Sequence, residues 1–198
     1  MQKKSFGELF APARTSVKSL AQGEVLFRQG DAASYLYTVL EGGVRLVRYT
    51  SEGDAVVIYT ARAGDSLAEA ALFSEIYHCD AEAVLPATVA CYDKEKILAL
   101  LHAHPEKSMA CIALFARQVR SLRSLLEVRS IRSARDRVLH YLLLQADPGT
   151  MEMSIPAGSV KAMAHKLAMA HETLYRTLAV LENEGKISRG AGIIKIRH

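Results

Sequence analysis

Polar side chains that could contact a partner molecule are concentrated near the C-terminus, in residues 159–181. Two apolar stripes at helical spacing run through this segment: Val160, Met163, Ala164 and Leu167, then Leu174, Leu178 and Leu181. The second stripe leaves polar groups on or near the outer face: His171, Glu172, Thr173, Tyr175 and Arg176. A helix with polar and cationic side chains in its first two turns, braced by another helix, can enter the major groove of DNA. The pattern predicts a helix-turn-helix, with Ser159 capping its first helix; two core helices of an all-α domain are the alternative.

A short β-hairpin is predicted directly after this segment. Gly185 closes the second helix, and residues 186–196 alternate around Gly190 and Gly192. A hairpin in this position is typical of a winged helix, whose basic side chains lie along phosphates. The candidates for phosphate contact are Lys186, Arg189, Lys195 and Arg197.

Charge is divided unevenly along the 198 residues, although the formal net charge is only +4. Residues 1–104 contain 10 basic and 13 acidic side chains, whereas residues 105–198 contain 15 basic and 8 acidic ones. A basic C-terminal half indicates a polyanionic partner for that half, and double-stranded DNA fits. A solvated basic face without a partner is the alternative.

A second group of reactive side chains is the run Tyr77-His78-Cys79-Asp80. His and Cys are ligands for iron and zinc, and a neighbouring His can lower the pKa of a thiol. Neighbours on a strand point to opposite faces, however, so the three need not share a site. The run leaves open a haem or thiol sensor of gas or redox state, a nucleophilic Cys/His enzyme, and a turn with a buried cysteine.

The surrounding N-terminal half is predicted to be a sheet of short strands. Apolar, β-favouring runs occupy residues 25–27, 35–40, 44–49, 56–59 and 88–92, and glycines separate them. We expect a closed sheet that could enclose a pocket.

A long helix is predicted to connect this sheet to the basic half. Pro105 stands near its start, and no further proline follows until Pro148. Its apolar residues step by three and four, as in a coiled coil: Ile112, Phe115, Val119, Leu122 and Leu126. We interpret this seam as the interface of a homodimer; packing within one chain is the alternative.

The quoted segments resemble one family of bacterial transcription regulators, that of the cyclic-AMP receptor protein and the fumarate-nitrate regulator (Crp/Fnr). Residues 170–176 resemble its DNA-reading helix, and residues 23–27, 29–31 and 37–42 resemble its β-roll. The resemblance implies an α+β fold with a cyclic-nucleotide-binding-like β-roll (residues 1–104), a dimerisation helix (105–130) and a winged helix-turn-helix (131–198). By position, Glu172 and Arg176 would read bases, while His171 replaces an arginine. Ala168 replaces a turn glycine, which a helix-like backbone would tolerate.

The same resemblance locates an effector pocket. Residues 63–81 are similar to the family's phosphate-binding cassette, in which Glu69 matches the ribose-binding carboxylate. Cys79 and Asp80 stand where the family has its phosphate-binding arginine and serine, and Leu122 and Arg123 stand where a threonine and a serine touch the ligand. We therefore expect no binding of cyclic AMP. The candidate effector residues are Glu69, His78, Cys79, Asp80, Leu122 and Arg123.

Cofactors and compartment follow from the cysteines and from the apolar runs. Three separated cysteines, Cys79, Cys91 and Cys111, cannot supply a four-cysteine iron–sulfur cluster. No metal site is predicted, and haem stays open. The N-terminus lacks a signal-peptide core and no run is long enough to cross a membrane. We expect a cytoplasmic regulator without enzymatic activity, whose partners are DNA, a second copy and, for an activator, RNA polymerase.

Overall fold

The structure is a computed structural model that describes residues 5–155, 159–190 and 192–197, with only the backbone described at Ser159. The chain forms two compact units, Met1–Phe115 and Ala116–His198. The division falls within the long helix α3, Pro105–Ser130, which begins at the predicted proline. The three domains expected from the sequence, residues 1–104, 105–130 and 131–198, stay predictions.

The first unit is an antiparallel sheet flanked by helices. Its strands are β1 (Arg14–Leu20), β2 (Val25–Phe27), β3 (Tyr35–Tyr49), β4 (Ala55–Arg62), β5 (Ser66–Leu67) and β6 (Asp80–Asp93). The strand order is β1-β6-β3-β4, with β2 paired to β6 and β5 paired to β3. Its helices are α1 (Phe6–Leu9), α2 (Lys94–Ala103), two short 3-10 helices (Ala11–Ala13 and Glu69–Ala71) and the first part of α3.

Strand β3 corrects one sequence prediction, because it runs unbroken where a glycine turn was expected. Its pairing with β6 shifts register between Val39 and Val44, so the glycines form an irregularity within the strand. Gly42 has a φ of 78°, and a Cβ there would lie 2.0 Å from the Pro86 carbonyl oxygen. Only glycine permits this close crossing of two strands.

Alternation along β3 and β6 separates two apolar clusters. Tyr37, Val39, Val89 and Cys91 belong to the interior of the roll, together with Phe27, Leu67 and Tyr77. The intervening residues Leu36, Ala90 and Tyr92 pack instead with Phe6, Ile97 and Leu114 of the helices and with Phe10, which follows α1. The period of two along each strand thus buries both faces of the sheet.

The second unit contains the rest of α3, then α4 (Ala134–Gln145), β7 (Glu152–Ser154), α5 (Ser159–Lys166), α6 (His171–Asn183), β8 (Ile187–Gly190) and β9 (Ile193–Ile196). The predicted hairpin is β8–β9, and β7 adds a third strand on β9 that was not predicted. One apolar cluster joins the helices to this sheet: Val138, Leu142, Met163, Leu167, Leu174, Leu178, Leu181, Ile187 and Ile194. Among the residues described in both units, no helix is long and apolar enough to span a membrane.

Candidate functional site

The predicted helix-turn-helix is formed by α5, α6 and the turn between them. Its two apolar stripes are buried as expected, with Leu167, Leu174 and Leu181 completely covered. Ser159 is the first residue of α5, but its side chain lies outside the described part of the structure, so the predicted cap stays a prediction. The buried stripes fix which face of α6 is turned outward.

The turn has a backbone different from the one expected. Ala168 has a φ of 50°, in the left-handed region, so the expectation of a helix-like backbone was wrong. The amide of Ala168 donates to the His165 carbonyl (3.1 Å), and that of Met169 donates to the Ala164 carbonyl (3.1 Å). These two bonds form a Schellman motif, which usually has glycine at the position of Ala168. An alanine here stores conformational strain in the turn.

Two charged side chains on the outer face of α6 are free to contact a partner. Glu172 and Arg176, one helical turn apart, are both exposed. Neither makes a hydrogen bond or ion pair with any residue that the structure describes. Thr173, half-buried beside them, uses its carbonyl to accept a hydrogen bond from Thr177 Oγ1 (2.7 Å). The geometry thus leaves a carboxylate and a guanidinium without partners in the part of the chain that the structure describes.

His171 and Tyr175 form an aromatic pair on one flank of the same helix. Their ring centroids lie 4.6 Å apart in an edge-to-face arrangement, and the Tyr175 side chain is 45% exposed. This contact holds the imidazole beside the phenol ring. His171 is therefore held on the flank of α6 rather than on its outermost face.

The backbone amides at the start of α6 have no acceptor among the residues that the structure describes. Its N-cap is Ala170, which offers no side-chain hydrogen bond to the helix. The first amides of a helix have no intrahelical acceptor and carry a partial positive charge. They can therefore receive an anion such as a phosphate oxygen.

The wing is only partly available for phosphate contact. Arg189 binds Glu182 through its backbone N–H (3.0 Å), its Nε (2.9 Å) and its Nη2 (2.6 Å), and this guanidinium lowers the pKa of Glu182. Lys195 Nζ contacts Glu152 at 3.0 Å. Lys186 and Arg197 are exposed, and their side chains make no hydrogen bond or ion-pair contact with the described residues, although the charge of Lys186 helps to lower the pKa of Glu184 after the larger effect of Arg135. Lys186 and Arg197 are thus the better candidates, and Arg189 has a structural contact that the sequence pattern did not indicate.

Further residues near the reading face were missed at the level of sequence. Asn183 lies eleven residues after Glu172, so the helical period places it on the same exposed face, and counting along the period would have found it. Arg129 and Arg137 donate to carbonyl oxygens at the end of α5. No sequence signal marks these two contacts, because they join residues 37 and 30 positions apart.

The predicted seam on α3 is largely uncovered in the single chain. Ile112 is 59% exposed, Val119 46%, Leu122 62% and Leu126 65%. Phe115 differs, since it is half-buried against the apolar cluster that contains Leu114. The exposed apolar side chains of the seam have no cover among the described residues of their own chain.

In the candidate effector pocket, Glu69 opens a 3-10 turn after Ala68, whose φ is 65°. Its carboxylate accepts a short hydrogen bond from Ser66 Oγ. Tyr59 lies nearby: burial, followed by the charge of Asp65 and a hydrogen bond to it, raises the pKa of that phenol. The predicted ribose-binding carboxylate is therefore already in contact with its own loop.

The run Tyr77–Asp80 is split among separate contacts. His78 Nε2 lies 2.9 Å from Ser74 Oγ, and an Asp80 carboxylate oxygen accepts from the Gln29 backbone N–H at 2.7 Å. Cys79 is half-buried; burial raises its thiol pKa, with Arg48 acting in the opposite direction. Within the described residues, no three His, Cys, Asp or Glu side chains are grouped as metal ligands. The side chains of this run do not converge on one site.

Tyr77 itself is part of the roll's core. Its ring stacks on Phe27 with a centroid distance of 3.9 Å, and Tyr37 stacks on the same Phe27 at 5.6 Å. The Tyr77 hydroxyl donates to the Tyr35 carbonyl (2.7 Å) and lies 3.3 Å from the Tyr37 hydroxyl. Three stacked aromatic rings are thus part of the core of the roll.

The remaining predicted pocket residues, Leu122 and Arg123, belong to the second unit. Both are exposed on α3, and the Arg123 side chain makes no hydrogen bond to the described residues.

Comparison with known proteins matches both units of the chain. A family model described as "Cyclic nucleotide-binding domain" matches residues 17–104. The "Cyclic AMP receptor protein" of Thermus thermophilus is 30% identical over 178 residues, which cover 89% of this chain and 81% of that protein. The "Transcriptional regulator LdrP" of the same species is 27% identical over 87% of each chain.

A solved structure shows the same similarity in three dimensions. It is described as a putative cAMP-binding regulatory protein from Silicibacter pomeroyi, and it aligns with a TM-score of 0.61 at 25% identity. The alignment covers 98% of this chain and 86% of that one. With its cyclic-nucleotide-binding-like roll and its C-terminal helix-turn-helix, the chain belongs to the Crp/Fnr family of transcription regulators.

Proposed function

We propose that the protein is a homodimeric, sequence-specific DNA-binding regulator whose β-roll responds to an effector other than cyclic AMP. The observation that carries the DNA-binding part is the outer face of α6, where Glu172 and Arg176 are exposed and have no partner within the described residues. In a major groove, Arg176 would donate to a guanine edge and Glu172 would accept from a cytosine amino group. The free backbone amides at the start of α6 would receive a phosphate.

The proposed dimer explains the exposed seam on α3. Burial of one large apolar side chain contributes about 1.5–3 kcal/mol, and association itself costs about 4–15 kcal/mol. A symmetric dimer covers the four exposed seam residues of both copies, so eight side chains contribute to offsetting that cost. Two copies would present two α6 helices about 34 Å apart, one turn of DNA. The site would then be a palindrome with half-site centres about ten base pairs apart.

The proposed exclusion of cyclic AMP rests on charge. A cyclic phosphate needs a cation or amide donors, but the matching positions hold a half-buried thiol and the Asp80 carboxylate. Arg48, which influences the Cys79 pKa, donates to the His78 carbonyl at 2.9 Å. We expect calorimetry to detect no cyclic-AMP binding; micromolar binding that is lost in Arg48→Ala would contradict the exclusion and identify the cation responsible.

The proposal places the protein in the cytoplasm with its DNA target. If it activates transcription, RNA polymerase would be a second protein partner. Neither point affects the tests of dimerisation and DNA binding.

Light scattering tests the dimer with a matched pair of variants. We expect twice the chain mass of 21.7 kDa for the wild type and a single chain mass for Leu122→Asp. Leu85→Asp is the control, because Leu85 is 56% exposed on β6, outside the seam, and should keep the dimer mass. Anisotropy titrations with a duplex should show that Leu122→Asp also loses tight DNA binding. An unchanged mass for Leu122→Asp would refute the proposed interface.

A further inference from the structure

The carbonyl groups at the end of α5 have an unusual set of donors. The last carbonyls of a helix have no intrahelical donor and need other partners. The Ala164 and His165 carbonyls accept from the turn amides of Met169 and Ala168. The next two, on Lys166 and Leu167, accept from arginine side chains outside the motif: Arg129 Nε at 2.8 Å and Arg137 Nη1 at 3.2 Å. Arg129 Nη2 also reaches the His165 carbonyl at 3.1 Å.

These arginines lie on the two sides of the linker, residues 131–133, that joins α3 to α4. Arg129 lies in the last turn of α3, and Arg137 lies in the first turn of α4. Arg137 also binds the linker itself, since its Nε donates to the Ile131 carbonyl at 2.8 Å. Two guanidinium groups therefore connect the end of α3, the linker and the turn that precedes α6.

We propose that Arg129 and Arg137 are positioning residues that hold α6 at a fixed orientation relative to the end of α3. This inference rests on the proposed function, because orientation matters only if two α6 helices must meet two half-sites. Cations at a helix C-terminus also interact favourably with the helix dipole. A planar guanidinium satisfies two carbonyls at once, as Arg129 does, whereas an ammonium is a compact point charge that lacks this rigid fork.

The distinguishing measurement is the dependence of affinity on half-site spacing. If Arg129 and Arg137 hold both α6 helices of the dimer in fixed orientations, the protein should bind one half-site spacing much more tightly than others, because any other spacing requires distortion of protein or DNA. Removing these contacts should weaken binding at the best spacing and leave binding at other spacings nearly unchanged. A residue that merely supports the fold, or that contacts a phosphate, would lower affinity equally at every spacing.

The experiment titrates full-length protein on duplexes that contain the selected half-sites at the best spacing and at one or two base pairs more or fewer. For Arg129→Ala we expect a loss on the order of tenfold at the best spacing and a flatter spacing profile. Arg129→Lys should be intermediate. Arg132→Ala is the control: it removes the same charge three residues away, its side chain has no hydrogen bond to a described residue, and its profile should match the wild type.

Several outcomes would overturn the inference. An equal loss at all spacings with a smaller salt dependence would make Arg129 a phosphate contact. An equal loss of affinity at all spacings, accompanied by a large fall in melting temperature, would mean that Arg129 only supports the fold. Unchanged affinity would exclude any role of Arg129 in positioning α6. Failure of the wild type itself to prefer any sequence would instead refute the proposed function, so the two failures are distinguishable.

Discussion

Two regions of the molecule, the outer face of α6 and the run Tyr77–Asp80, differ in whether their polar side chains have partners among the described residues. On α6, Glu172 and Arg176 make no contact with any described residue of their own chain. In the run, His78 contacts Ser74, Asp80 caps the backbone at Gln29, and Tyr77 is stacked in the core. Both regions looked chemically promising as sequences. Only the first presents two oppositely charged, exposed side chains without a partner among the described residues.

This difference predicts that the side chains needed for DNA recognition and those needed for folding stability lie in different regions. A satisfied polar group contributes to folding and is costly to remove, whereas an exposed, unpartnered one contributes little to folding. Substitutions on α6 should therefore change DNA binding without changing stability. Substitutions of the stacked and hydrogen-bonded residues in and around the run should do the reverse.

The largest expected effect tests the stability side of this contrast. Phe27, 5% exposed, stacks between Tyr37 and Tyr77, so Phe27→Ala should cost about 3–5 kcal/mol of unfolding free energy. Phe73→Ala is the matched control, because that ring is 82% exposed and its loss should cost almost nothing. Urea denaturation of both variants measures the difference. Equal costs would mean that the aromatic stack does not support the roll.

A smaller effect is expected for α6, and it should appear in the free energy of DNA binding rather than in the free energy of unfolding. Arg176→Ala should weaken binding to the selected site by about 1–3 kcal/mol, while its unfolding free energy should stay within about 0.5 kcal/mol of the wild type. Lys186→Ala on the wing should instead weaken all sequences alike and reduce the salt dependence. A destabilised Arg176→Ala protein would show that the guanidinium has a structural contact.

The turn before α6 provides a test of strain within the reading motif. Ala168 (φ 50°) and Gly185 (φ 70°) occupy equivalent positions after α5 and α6, each with the same pair of backbone bonds. Ala168→Gly should relieve left-handed strain and stabilise the protein by up to about 1 kcal/mol. Gly185→Ala should destabilise it by a similar amount. Thermal unfolding should give shifts of opposite sign, and shifts of the same sign would refute the strain at Ala168.

The smallest effect is expected at Cys79. Cys79→Ser should leave DNA binding unchanged and alter stability by no more than about 0.5 kcal/mol. Because burial raises the thiol pKa, the thiolate should be scarce at neutral pH and should form only above the usual range for cysteine. Alkylation by iodoacetamide should therefore be slower than for a free thiol at pH 7 and should accelerate as the pH rises. Fast alkylation at pH 7, with DNA binding lost on oxidation, would favour a thiol sensor instead.

Periodicity predicted much of the fold because the relevant contacts are local. The two stripes of the helix-turn-helix and the wing strands β8 and β9 were visible as repeats of 3.6 or two residues, and Pro105 marked the start of α3. Gly42 misled the prediction, since a glycine needed for a close strand crossing has the same sequence signature as a turn glycine. Strand β7 has only three residues, too few for a detectable period.

The candidate sites were predictable to different degrees for the same reason. Glu172 and Arg176 follow from the helical period of α6, which also determines their exposure. The pairing of Arg189 with Glu182 and the contacts of Arg129 and Arg137 depend on tertiary packing, so the sequence pattern could not indicate them. At Tyr77–Asp80 the residue types suggested chemistry, but Phe27 and Gln29, the partners of Tyr77 and Asp80, are distant in sequence, and His78 contacts Ser74 in its own loop.

Selection of bound duplexes from random DNA by the purified full-length protein tests the central claim most directly. The account predicts enrichment of a palindrome whose half-site centres lie about ten base pairs apart, with a G·C pair at one symmetric position whose preference relaxes in Arg176→Ala. Absence of any enriched sequence, or a sequence preference that Arg176→Ala leaves intact while Lys186→Ala changes it, would contradict the assignment of α6 as the reading helix.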